Sequence, residues 1–231
     1  RSNSKDKYWI LQKIYRSKIE IIEIGLDLTE IDSIIIQDKE ALNKKYQFPK
    51  DTIKIGFCGR LSRAKGLDIL ISAMREIECD SVKLYVLGEA IIDHDKIYKD
   101  YIFGLIDEYD LRDRVIFLGW RLDHHEIIYL MDIIVNPSFS EGFGRNILES
   151  MALKKATIAT NTGGLRDTIV NGVNGFLVPI KNESAIAEKL QFLIQSSEAR
   201  ECIAENARKT VEDNFRIEDK INKLNELFYK L

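Results

Sequence analysis

The stretch IKIGFCGRLSRAKGLDILISAM (Ile53–Met74) contains a short apolar run, a loop with three basic residues, and a second run with helical spacing. The first run, Ile53–Phe57, is apolar with little alternation, as a strand buried on both faces requires. The second, Gly66–Ile77, sets Leu67, Leu70, Ile71 and Met74 on one helical face. The same strand–loop–helix unit recurs downstream. Strands are predicted at Lys83–Gly88, Val115–Gly119, Ile133–Asn136, Thr157–Thr160 and Gly175–Val178. Helices are predicted at Lys96–Tyr109, His124–Met131 and Ala185–Ile194. This alternation predicts an α/β fold, a Rossmann-like parallel sheet wrapped by helices on both faces.

The two ends depart from the repeat. Residues 5–17 read as a short aromatic helix, and Ile19–Leu28 as a strand leading into a turn at Gly25. The segment to Lys50 is polar and helical in part. From Glu198 onward the chain reads as helical throughout. Ile217, Ile221, Leu224, Leu227, Phe228 and Leu231 form a stripe expected to pack on a domain surface. The chain begins with Arg rather than Met, which reads as a start inside a longer protein or as a processed chain.

The chain has 231 residues, 45% hydrophobic and 31% charged, with a net charge of −3. That balance suits a globular protein and does not favour nucleic acid as a partner. Cys58, Cys79 and Cys202 are scattered and form no CxxC, which argues for a reducing compartment and against a disulfide framework. No apolar run is long enough to span a bilayer. No His/Asp/Cys cluster has ligand spacing, so no metal is expected. His94 and the pair His124-His125 read as solvated.

In an open parallel sheet, ligands bind beyond the carboxyl ends of the strands. There this sequence collects glycines, polar side chains and a basic pair. Gly59, Arg60 and Lys65 follow the first strand; Trp120 and Arg121 follow the third. Ser138, Glu141-Gly142-Phe143-Gly144, Arg145 and Asn146 follow the fourth, with Glu149 inside the next helix. A glycine turn that opens a helix offers free amides at the positive end of the helix dipole, which favours an anion. Gly163-Gly164 offers a second such turn. Arg60 and Lys65 are expected to converge on one anion, a fork beside a point charge. Glu141 and Glu149, eight apart, admit two readings: a solvated helix start with acids near its positive end, or carboxylates that accept hydroxyl donors of a sugar and a ribose.

Three segments carry a resemblance: GRLSRAKG (Gly59–Gly66), NPSFSEGFGRNILESMAL (Asn136–Leu153) and ATNTGGLRDTIVNGVNGFLV (Ala159–Val178). Together they resemble retaining glycosyltransferases of family 4, also called group 1, over roughly Ile19 to Ile194. The resemblance implies the carboxyl-terminal, nucleotide-sugar-binding domain of a two-domain GT-B enzyme. The division would be a terminal helix at 1–18, an interdomain linker at 19–50, the donor-binding domain at 51–197, and closing helices at 198–231. The last of these would cross back to an amino-terminal, acceptor-binding domain.

Arg60 and Lys65 would hold the diphosphate, and Gly142 to Arg145 would present amides to it. Glu141 would face the donor sugar, Glu149 the ribose, and the base would lie near Gly119–Arg121. The donor would be a nucleoside-diphosphate sugar, UDP- or GDP-linked, with no cofactor and no metal. The catalytic set would be Arg60, Lys65 and Glu141, at work in the cytoplasm. Any membrane contact would come through the parent protein. The alternatives are a non-catalytic nucleotide-sugar-binding module or one subunit of a two-chain transferase. The chain departs from the family pattern at Glu23–Asp27, at Ala64, at Asp167, and at Lys154-Lys155-Ala156 where Gly-x-Pro is common.

Overall fold

The computed structural model describes residues 20–229. The described residues form a six-stranded sheet in the order β3-β2-β1-β4-β5-β6. The strands are β1 (Ile53–Cys58), β2 (Val82–Leu87), β3 (Val115–Gly119), β4 (Ile133–Asn136), β5 (Ala156–Thr160) and β6 (Phe176–Val178). Every neighbouring pair is parallel. The strand order changes direction between β1 and β4, which pair in parallel with Ile55 opposite Ile133. A crevice opens at such a switch point, because the connections leave β1 and β4 toward opposite sides.

Alternate strand residues feed two cores, one on each face. On one face Ile55, Phe57, Leu84, Val86, Ile133 and Val135 meet three helices: α3 (Leu67–Arg75), α4 (Asp93–Glu108) and α8 (Glu183–Gln195). On the other face Tyr85, Leu87, Ile134 and Ala159 meet α1 (Leu28–Ile35), α5 (His124–Leu130), α6 (Arg145–Ala152) and α9 (Ser197–Asn214). Apolar residues on both faces explain why the strands read as unbroken Ile/Val/Leu runs. The expected sheet and its helices are therefore present, each strand within about a residue of the predicted bounds.

Two expectations at the ends need correction. Residues 20–25 form no strand; Leu26 makes a single bridge to Arg216. The apolar pattern there suggested pairing, but Asp27 caps α1 by accepting from the Thr29 amide, and the helix begins at Leu28. Residue 19 and the helix expected over 5–17 lie outside the described residues.

The tail is broken at Phe215-Arg216 into α9 and α10 (Ile217–Phe228). None of the described residues of α10 is buried, and Ile221, Leu224 and Phe228 are exposed. The described part of the stripe is thus not packed on this domain. The helix is held instead by Lys220 and Lys223, which pair with Glu23 and Glu20. A third helix, α2 (Lys39–Lys45), precedes β1, and a short α7 (Leu165–Thr168) follows β5.

Lys155, one of the departures from the family pattern, is buried at the start of β5. Its Nζ donates to the Tyr129 carbonyl at 2.7 Å and lies 4.9 Å from that ring's centre. Burial, reinforced by Lys39, pushes the ammonium down to about 7. A lysine with lowered affinity in the folded state binds fewer protons there than when unfolded. Its charge therefore destabilises the fold fully below about pH 7, and the penalty is relieved as pH rises from 7 to its unfolded value near 10. Lys155→Met is expected to gain about 1–3 kcal/mol at pH 6.5. The gain should shrink toward pH 10, as read by urea melts at both values. Equal or lower stability at pH 6.5 would refute this.

Candidate nucleotide-sugar site

The crevice between β1 and β4 has two walls. The first runs from Gly59 through a 3-10 turn at Arg63–Lys65. The second runs from Asn136 through the Glu141–Gly144 loop into α6. Asn136, buried at the end of β4, organises the second wall. Its Nδ2 donates to Asn146 Oδ1 at 3.1 Å and reaches Glu141 Oε2 at 3.5 Å, while its Oδ1 accepts from the Ser138 amide. Asn146 in turn donates to the Cys58 carbonyl at 2.7 Å, joining α6 to β1.

Lys65 bridges the walls. Its Nζ donates to both Glu141 oxygens, at 3.0 and 2.7 Å. Phe139 N–H also donates to the Ala64 carbonyl at 2.8 Å. Arg60 faces elsewhere: its Nε lies 3.5 Å from Asp95, a buried carboxylate that also accepts from the Ile91 and Ile92 amides. The two cations expected to converge are thus each engaged with a separate carboxylate.

Gly144 enters α6 with φ of 84°, and no side chain caps the helix. The amides of Gly144, Arg145 and Asn146 have no acceptor among the described residues, so the positive end of α6 faces the crevice. Gly163-Gly164 is not a second such turn. The Gly164 amide donates to the Gly142 carbonyl at 2.9 Å. A Cβ on Gly163 would lie 1.6 Å from the Glu141 carbonyl oxygen, so this pair packs beneath the first loop as its support.

The other predicted residues divide by what their side chains touch. Phe143 packs edge-on to Phe215 at 5.9 Å, leaving its backbone to the loop. Ser138 is buried, and its Oγ has no partner among the described residues. Asn146 spends its amide on protein contacts. Trp120 is exposed. Arg121 donates twice to Asp123, at 2.7 and 2.8 Å, and Tyr46 adds a hydroxyl to that carboxylate at 2.8 Å. The Arg121 guanidinium, followed by the Tyr46 hydroxyl, holds Asp123 well below the usual carboxylate range against the effect of burial.

Glu149 is buried on α6 and faces three cationic or ionisable groups. Arg145 Nε donates to Oε1 at 2.8 Å. His125 Nε2 lies 3.7 Å from Oε1 and His124 Nε2 lies 4.0 Å from Oε2. Burial acts to raise this carboxyl, but His125 and Arg145 outweigh it and leave it below its ordinary value. Glu149 in turn raises His125 against the opposite effect of burial. At 3.7 Å no hydrogen bond joins the two, and His125 Nε2 is buried without a hydrogen-bond partner.

The expectation that His124-His125 is a solvated pair is therefore corrected: both rings turn inward to Glu149. No sequence signal could have shown this, since the residues lie on separate helices. His94 is exposed, as expected.

The family profile described as Glycosyl transferases group 1 matches residues 38–210. The chain belongs to that family. It is 34% identical over 181 residues to the capsular polysaccharide biosynthesis glycosyltransferase CapM of Staphylococcus aureus, covering 77% of this chain and 46% of CapM. The crystal structure of Anabaena HepE in complex with UDP superimposes with a TM-score of 0.85 at 26% identity, covering 92% of this chain and 57% of HepE. The C-terminal domain of the group 1 protein LpcC from Francisella tularensis aligns along its whole length, with 84% of this chain, a TM-score of 0.74 and 31% identity. This group 1 chain spans about half the length of the curated relatives it matches. Among the described residues no helix is long and apolar enough to cross a membrane.

Proposed function

We propose that these residues form the donor-binding half of a retaining, metal-independent glycosyltransferase of family 4. The parent enzyme moves a sugar from a UDP- or GDP-linked donor to a glycan, lipid or small acceptor. One observation carries the reading: the uncapped start of α6, the Lys65–Glu141 pair and buried Glu149 all sit on one edge of the sheet, at its switch point. The diphosphate fits the α6 amides and the ammonium of Lys65, with Arg60 swinging from Asp95 to join it. Positive charge at these places stabilises the leaving diphosphate, the part a divalent cation plays elsewhere. Glu149 accepts the ribose hydroxyls and Glu141 faces the sugar. Support comes from HepE, whose structures hold UDP and UDP-glucose. Acceptor binding falls to a second domain, against which the exposed stripe of α10 packs.

Calorimetric titration with UDP, GDP and ADP tests the reading. One nucleotide is expected to bind with a Kd of roughly 10–1,000 μM. Glu149→Ala should weaken it about fivefold or more, the value of about one lost hydrogen bond. These 231 residues alone should transfer no sugar. Failure of all three nucleotides to bind at millimolar concentration would overturn the assignment.

A further inference from the structure

The start of α5 sets two imidazoles against the buried carboxylate of Glu149, and the donor atoms of all three lie within 4.8 Å of one another. The rings are close, with centroids 4.1 Å apart. Each ring has an acceptor opposite its other nitrogen. His125 Nδ1 lies 3.3 Å from Glu30 Oε1, and His124 Nδ1 lies 3.3 Å from the Leu122 carbonyl. The tautomer with hydrogen on Nδ1, held by that acceptor, leaves the Nε2 lone pair available to a cation. Both Nε2 lone pairs then face a carboxylate. The His125 lone pair does so from a buried position without a hydrogen-bond partner. Acceptors gathered around one point, with outer partners that orient them, form the usual shell of a bound cation.

We propose that His124 Nε2, His125 Nε2 and Glu149 form a binding site for a divalent transition-metal cation of the zinc, cobalt or nickel class. Imidazole with one carboxylate suits these borderline ions, whereas magnesium and calcium prefer all-oxygen sets. Bonds of about 2.0–2.2 Å to a tetrahedral ion set its ligands about 3.3–3.5 Å apart. The two imidazoles lie 4.0 and 3.7 Å from Oε2 and Oε1, and the donor atoms all lie within 4.8 Å of one another, so a contraction of up to about 1.5 Å closes the shell. Arg145 competes for Oε1, so the cation takes Oε2, the oxygen nearer His124. Three protein ligands leave the fourth position of a tetrahedral ion open.

A corollary rests on the proposed function. If Glu149 holds the donor ribose, cation and nucleotide exclude one another, and the metal acts as an inhibitor.

The test is Co²⁺ added to the purified chain, followed by its visible absorption, with Zn²⁺ as competitor. One Co²⁺ per chain is expected, displaced by Zn²⁺ and not by Mg²⁺. His125→Gln and His124→Gln should each weaken it at least about tenfold, in line with the loss of one ligand. His124 is half exposed at the helix start, so its variant keeps the test valid should the buried His125 variant unfold. No Co²⁺ bound at 1:1, or wild-type affinity in both variants, would overturn the site. UDP added to the Co²⁺-loaded chain reports on the corollary alone. Loss of the band with UDP, but not with the same concentration of inorganic pyrophosphate, supports the ribose role of Glu149. UDP binding with the band unchanged refutes that role and leaves the metal site standing.

Discussion

Lys65→Met is expected to weaken nucleotide binding by about 100-fold or more, the largest loss from any single side chain of the crevice. The ammonium has two tasks. On the proposed function it would supply positive charge for the diphosphate, and it neutralises Glu141, to which it donates two hydrogen bonds. Methionine keeps the length of the side chain and removes both effects. Glu141 then retains only Asn136, at 3.5 Å, in a largely covered position.

An uncompensated carboxylate beside a diphosphate repels it, and the fold loses an estimated 1–3 kcal/mol because one partner of a covered pair is gone. The discriminating variant is the double substitution Lys65→Met with Glu141→Gln. Neutralising the carboxylate should recover most of the stability and about tenfold of the affinity, a coupling of about 1–3 kcal/mol. Calorimetry with UDP or GDP and urea melts on the four proteins give both quantities. Wild-type affinity in Lys65→Met would make Lys65 a structural partner of Glu141 with no part in binding.

The second large effect is expected at a residue that touches no ligand. Gly163→Ala introduces a Cβ 1.6 Å from the Glu141 carbonyl oxygen, at a φ of 52°. The backbone conformation alone costs alanine about 1–2 kcal/mol. Relief of the clash requires the Glu141–Gly142 loop to rise by more than an ångström. That movement takes Glu141 off Lys65 and turns the α6 amides away from the crevice. A displacement of this size costs about 10²-fold where geometry governs the outcome.

Total destabilisation of about 2–4 kcal/mol is expected, with nucleotide affinity reduced by at least about tenfold. Gly172→Ala separates the two causes. Gly172 has a φ of 78° and open space around it. Its variant should carry the conformational cost without loss of binding. Equal behaviour of the two alanine variants would show that the loop above Gly163 does not depend on it.

Much of this architecture was legible in the sequence because it rests on local pattern. A strand buried on both faces must be apolar along its length, so Ile133–Asn136 and Val115–Gly119 announced themselves. The glycine turn before Arg145 marked a helix start with free amides for a related reason: only backbone freedom permits the bend. What the sequence hid is pairing at a distance. Lys65 and Glu141 each suggested a ligand, and nothing in their spacing revealed that they hold one another. His124 and His125 sit one residue apart in chain order, yet their shared partner Glu149 belongs to another helix. Arg60 likewise meets Asp95 across a loop. The apolar run at 20–28 was misleading for the opposite reason. Its composition favours a strand, but pairing needs a free edge of the sheet, and the described structure gives it only Arg216.

The pairing of Ile55 with Ile133 also fixes an order of events during synthesis. The first three strands can associate as soon as Gly119 has left the ribosome, because each finds its neighbour by a local crossover. The crevice cannot yet exist, since its second wall is still unmade. At roughly 5–20 residues per second, the sheet spends seconds with one flank of β1 unpaired. During that interval the bare edge and its apolar faces are open to any other strand.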